Sequence, residues 1–183
     1  MTKKTAFLGV MLAIMLILTT LESVIAPLPL HVKPGLANII VMYCALCVGR
    51  GQAFMLNVMK SFFVFITRGA TAGLLSLCGG LLSIAVIILL LSVFDNGKEK
   101  KFSYSAISIV GACSHNLGQL SAAAFLMSSA LIFYYLPVLI VSAVIMGLLT
   151  GALLKLLMPY TNPHLKHVWQ REAPRHRRGR FDR

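Results

Sequence analysis

The stretch Ala70-Thr-Ala-Gly-Leu-Leu-Ser-Leu-Cys-Gly-Gly-Leu-Leu-Ser-Ile-Ala-Val-Ile-Ile-Leu-Leu-Leu-Ser-Val-Phe94 decides the fold class. It carries no charge over 25 residues. As an α-helix it rises about 37 Å, enough to cross a hydrocarbon layer of about 30 Å. Its few polar side chains are serines and threonine, which bond back to their own helix at little cost. A soluble core helix rarely stays apolar for so long. The segment reads as a membrane span.

The composition extends that reading to the whole chain. Of its 183 residues 58% are hydrophobic and 12% charged, with mean hydropathy +0.84, too few charges to cover a soluble domain. Outward from the central stretch, further apolar segments run from about Ala6 to Ala26, Pro34 to Val48, Gln52 to Thr67, Phe102 to Ser128 and Leu131 to Met158. Pro27 and Pro29 end the first, Arg50-Gly51 turns the chain after the second, and Arg68-Gly69 divides the third from the fourth. The first follows Lys3-Lys4, but it is too long for a signal peptide and lacks a cleavage site. The expected fold is all-α, a six-helix transmembrane bundle over residues 1–158.

The charges indicate topology rather than nucleic-acid binding. The net charge of +12 is gathered at the two ends and in one loop, without interleaved aromatics. Lys3, Lys4, Arg50, Lys98, Lys100, Lys101 and the C-terminal tail fall on one side, with only Lys33 and Arg68 on the other. The positive-inside rule then places both termini in the cytoplasm of a bacterial cell membrane. Residues 159–183 form a basic tail, with too little apolar surface to fold alone and enough arginine to lie on anionic lipid.

Several segments carry small residues three or four apart: Gly73, Ser76, Gly80 and Ser83; Gly147 and Gly151; Gly9 and Ala13. Such spacing lets membrane helices approach closely. Most pairs are expected to pack within the subunit, whereas Gly9 and Ala13 on the first helix suit a partner membrane protein. Ser105, Ser108, Ala112, His115, Gln119 and Ala122 recur at steps of three and four, so they share one face of the fifth helix.

Polar groups at membrane depth mark the candidate site. His115, Asn116 and Gln119 lie roughly 20 Å along the fifth segment, where unpaired imidazole and amide groups are costly and turn toward a cavity or ligand. Lys60, with Asn57 a turn before it, lies near mid-depth of the third. Lys33 with the start of the second helix around Asn38, and Arg68 beyond the third, offer cations and free backbone N–H groups to an anion. Glu22 is placed to pair with Lys33 or Arg68. The four cysteines, including Cys44-x-x-Cys47, read as reduced and buried, and the histidines of the tail as solvated residues.

Enzyme chemistry is not expected. Only five acidic residues are present, with no Asp-rich pair for magnesium-diphosphate work, no phosphate loop and no H-E-x-x-H. No cofactor or metal is expected either.

Four stretches together resemble a known family: Glu22-Ser-Val-Ile-Ala-Pro27; Lys33-Pro-Gly-Leu-Ala-Asn38-Ile; Gly111-Ala-Cys-Ser-His115-Asn116-Leu-Gly118-Gln119-Leu; and Tyr134-Tyr135-Leu-Pro137-Val-Leu. In this order they resemble the Gx transporter family, also described as heptaprenyl diphosphate synthase component I. The family commonly has K-L-G-L-A-N where this chain has Lys33-Pro34-Gly35-Leu36-Ala37-Asn38, and tends to carry arginine where this chain has Lys60. Lysine keeps the charge and loses the bidentate fork.

The family is in turn similar to the substrate-binding S components of energy-coupling-factor transporters. That resemblance implies a membrane subunit that captures a small, anionic, cofactor-like molecule, working with a coupling transmembrane protein and ATPase subunits. Gly9 and Ala13 would be the docking face. His115, Asn116, Gln119, Lys33, Asn38, Arg68 and Lys60 are the expected substrate-binding residues. The alternative is a noncatalytic membrane subunit that assists a soluble prenyl diphosphate synthase in making the menaquinone side chain. Both readings have small-molecule and lipid partners and exclude nucleic acid.

Overall fold

The computed structural model describes residues 2–25, 35–94 and 103–170, and of residues 2–4, 25, 93–94, 130 and 158–170 the backbone only. These residues are helical: α1 (Thr2–Ile25), α2 (Leu36–Cys47), α3 (Arg50–Arg68), α4 (Ala70–Phe94), α5 (Tyr104–Met127), a 3-10 turn (Ala130–Tyr135) and α6 (Leu136–Gln170). No strand occurs among them. The ranges Thr5–Val24, Ala70–Ser92 and Leu131–Leu157 are each long and apolar enough to cross a membrane, and Leu36–Cys47 is a shorter apolar helix.

Breaks fall where the backbone demands them. Between α3 and α4 only Gly69 intervenes, at φ 90°, a left-handed value that side chains resist, and its N–H still donates to Phe65 O at 3.1 Å. Gly35, at φ 70°, precedes α2 in the same way. The sixth apolar segment, expected from about Leu131, opens with a 3-10 turn and enters α6 at Leu136-Pro137, proline suiting a first helical turn. At its other end α6 continues to Gln170, past the boundary expected at residue 158, while residues 171–183 lie outside the described part.

Consecutive helices pack on one another from α2 through α6, and α6 returns to touch α2, closing a ring. Helix α1 lies against α2 and α3. Glycines set the closest approaches. A Cβ on Gly147 would lie 2.6 Å from Ile109 Cα, and one on Gly151 2.6 Å from Ser105 Cα, so the Gly147–Gly151 pair lets α6 meet the backbone of α5. Gly118 meets α4 similarly, its Cβ position being 2.8 Å from Cys78 O. Gly9 is different: nothing lies within 4 Å of its Cβ position, and Ala13 is exposed on the same side of α1.

Helix α3 has its polarity inside out. Asn57 and Lys60 are 1% and 6% exposed, whereas Phe62 and Ile66 are 59% and 67% exposed. In water this arrangement would waste both the apolar burial and the hydration of the charge. An apolar surround removes the first cost, and a polar interior answers the second. Length and hydropathy alone do not mark α3 as a span, but the direction of its faces suits one.

Candidate functional site

The ring of helices encloses a cavity of about 490 Å³, within the size range that takes a small molecule. Of the residues singled out from the sequence, His115, Asn116, Gln119, Asn38, Arg68 and Lys60 all line it. Lys33 lies outside the described residues. The lining also includes Thr19, Glu22, Asn57, Ser76, Ser83, Ser108 and Tyr135. Apolar walls are given by Ile84, Ile87, Val138, Ala143 and Leu154, among others.

One end is organised around the start of α2. Gly35 provides no side-chain cap there, so the first N–H groups of the helix need partners from elsewhere. Glu22, near the end of α1, supplies one: its Oε1 accepts from Ala37 N at 3.0 Å, with both residues buried. Negative charge belongs at a helix N-terminus. The anion expected at this helix start is therefore, at Ala37 N, the chain's own carboxylate. The same end ties α3 to α1 through Arg68, whose guanidinium donates to Thr19 O at 2.7 Å. Thr19 in turn donates its hydroxyl to Met15 O, leaving its carbonyl to the arginine.

Deeper along α3, Lys60 Nζ donates to Asn38 Oδ1 at 2.6 Å. This bond joins α3 to the first turn of α2 and holds the ammonium at the cavity wall. Asn57, one turn away, lies against Gly80 of α4, where a Cβ would come within 2.6 Å of Asn57 Cγ. The small-residue stripe of α4 thus makes room for an amide as well as for a helix. Ser76 and Ser61 meet beside it at 3.4 Å.

The α5 turn faces the same space and also holds helices together. His115 Nε2 is 3.2 Å from Gln119 Nε2. Asn116 Nδ2 donates to Leu139 O of α6 at 3.0 Å. Ser83 Oγ donates to Gly111 O at 2.8 Å, joining α4 to α5. Each polar group here therefore has a packing role beside its place in the wall.

Thr19 and Glu22 were not foreseen as one element of this site. They lie three apart on α1, a spacing that puts them on one face of an apolar helix, and that was the available signal. Tyr135 was quoted only within a motif, since its approach to the cavity depends on the 3-10 turn. The four cysteines are free thiols, and no group of three or more possible metal ligands occurs among the described residues.

Residues 11–157 match the sequence model of a family described as heptaprenyl diphosphate synthase component I. No curated protein and no solved structure matches the chain.

Proposed function

The chain belongs to the heptaprenyl diphosphate synthase component I family, and from that premise we propose that it is a noncatalytic membrane subunit that holds a small amphiphile for a soluble prenyl diphosphate synthase. The observation that carries this reading is the cavity wall, where Lys60 and Arg68 on α3 stand in one lining with Ile84, Ile87, Val138, Ala143 and Leu154, beside the neutral polar groups already named. Such a wall suits a ligand with an anionic head and an apolar body, the chemistry of an isoprenoid intermediate. Six helices cross the cell membrane with both termini in the cytoplasm, and the basic tail lies on anionic headgroups. Catalysis belongs to the partner, because five acidic residues without an Asp-rich motif cannot assemble the carboxylate set that diphosphate chemistry uses.

A second reading, a substrate-capturing S component of an energy-coupling-factor transporter, is favoured by the face of α1. Gly9 has open space where the other close-packing glycines meet a neighbouring helix. A coupling transmembrane protein docked on Gly9 and Ala13 would fill it, and His115, Asn116 and Gln119 would then hold a captured substrate.

Purification of the tagged protein from its native membranes tests both readings. Co-isolation of a prenyl diphosphate synthase whose activity depends on this subunit supports the first. A membrane partner with ATPase subunits, lost on Gly9→Leu, replaces it with the second.

A further inference from the structure

One glycine of α4 makes room for a side chain rather than for a helix. At Gly118, Gly147 and Gly151 an added Cβ would meet backbone atoms of the neighbouring helix. At Gly80 its three nearest atoms would all belong to the terminal amide of Asn57, with Cγ at 2.6 Å. Gly80 and Asn57 both line the cavity, so the notch opens on it. Asn57 is 1% exposed, and its Nδ2 has no hydrogen-bond partner among the described residues. A donor buried without an acceptor forfeits its hydration and gains nothing in return. Leucine is close to asparagine in shape, carries no donor and would serve packing better here. A glycine kept open for an amide that the fold leaves unbonded therefore points to an acceptor that a ligand brings.

The α4 side of the wall gives that ligand a direction. Ser76, Gly80, Ser83, Ile84 and Ile87 fall on one helix face, and all line the cavity. The Ser83 hydroxyl is already committed to Gly111 O. From Gly80 to Ile87, about 10 Å at the helical rise, this face passes from the amide notch to isoleucine. An apolar chain that starts beside Asn57 can follow it.

We propose that Asn57, seated in the Gly80 notch, is a specificity-determining donor of the cavity, giving an Nδ2 hydrogen to an acceptor oxygen of an amphiphile whose apolar chain lies along Ile84 and Ile87. The chemistry required is an oxygen that accepts without having to donate, as in an ether, a carbonyl or a phosphate. This rests on the reading of the cavity as an amphiphile's site.

The test uses the full-length protein in lipid nanodiscs, with binding corrected for partition into protein-free nanodiscs. Four probes share one farnesyl chain: the alcohol, its methyl ether, the diphosphate, and the hydrocarbon in which a methylene replaces the ether oxygen. The ether is expected to bind about three- to tenfold more tightly than the hydrocarbon, the range of one hydrogen bond. Asn57→Leu and Asn57→Ala each remove that margin and leave hydrocarbon binding within about threefold, while Asn57→Leu unfolds no more readily than the unmodified protein. Gly80→Ala, which keeps the amide but fills its notch, removes the margin as well. Which oxygen is held is read from the probe whose margin the variants remove, the ether for an uncharged oxygen and the diphosphate for a phosphate oxygen. Dependence on Asn57 by the alcohol alone would make the amide an acceptor and overturns the proposal, as does an oxygen margin that survives both Asn57 variants; either result leaves the amphiphile reading standing. Failure of all four probes to bind the unmodified protein removes both. The three variants are separate routes to one loss, so one that does not purify as a monodisperse species is judged by the others.

Discussion

Glu22 provides the most direct test of how the site end of the bundle is held. Its carboxylate accepts from Ala37 N at 3.0 Å, where α2 begins without a side-chain cap. Truncation to alanine leaves a buried N–H unpaired, at about 1–3 kcal/mol, and removes a negative charge from a helix N-terminus, worth about 0.3–1 kcal/mol at exposed sites and up to about 2 in partly buried ones. Together these give about 1–5 kcal/mol of lost stability. Glu22→Gln keeps an acceptor of nearly the same reach and loses only the charge, so about 0.5–1.5 kcal/mol is expected. The measurement is reversible unfolding in mixed micelles, with the denaturing detergent titrated and helicity followed. The order alanine, glutamine, wild type in rising stability is the prediction. Equal destabilisation by both variants would mean that charge rather than the acceptor matters. A change below about 0.5 kcal/mol in both, the level of a neutral surface substitution, would refute the capping role altogether.

Three further perturbations separate packing from function. Gly151→Ala puts a methyl 2.6 Å from Ser105 Cα, a backbone atom that cannot rotate aside, and is expected to cost about 1–3 kcal/mol in the same unfolding assay; Gly9→Ala, with open space, should be silent there. Asn116→Ala removes the bond to Leu139 O, and membrane hydrogen bonds of this kind average about 0.6 kcal/mol, so the protein should fold and show its defect in ligand retention. Reporter fusions after residues 97 and 183 should both report the cytoplasm, and a fusion after residue 31 the opposite side; any other pattern contradicts the orientation drawn from the lysine and arginine bias.

Much of the helical layout was legible in the sequence because the breaks are local. Arg68-Gly69 marks an end that the backbone also marks, and the fourth segment was read to its observed limits at Ala70 and Phe94, whereas the turn expected at Arg50-Gly51 falls at Val48-Gly49 and those two residues open α3. The small-residue stripes were legible for the same reason. Gly147 and Gly151 sit on the α5 backbone because that spacing leaves no other use for them inside an apolar helix. The 3-10 turn at Ala130–Tyr135 was hidden, since its residues are as apolar as the helix they precede.

The site was legible as a list of residues rather than as an arrangement. Polar side chains in an apolar chain identify themselves, which is why six of the seven expected binding residues line one cavity and the seventh lies outside the described part. What spacing does not give is which polar group answers which. Lys60 has an amide partner, Asn38, that sits 22 positions away on another helix, and Glu22 caps α2 from α1. These pairings follow from the ring closing, not from any local pattern. They also change what the cations mean. The lysine's ammonium is held at the cavity wall by an amide of α2, and the glutamate is fixed at the same wall by a backbone N–H of that helix. The residues of the α5 motif, the most conspicuous in the sequence, are tied largely to one another and to α6. The less conspicuous Asn57 buries an amide nitrogen with no hydrogen-bond partner among the described residues, and the geometry therefore directs attention to α3 as well as to α5.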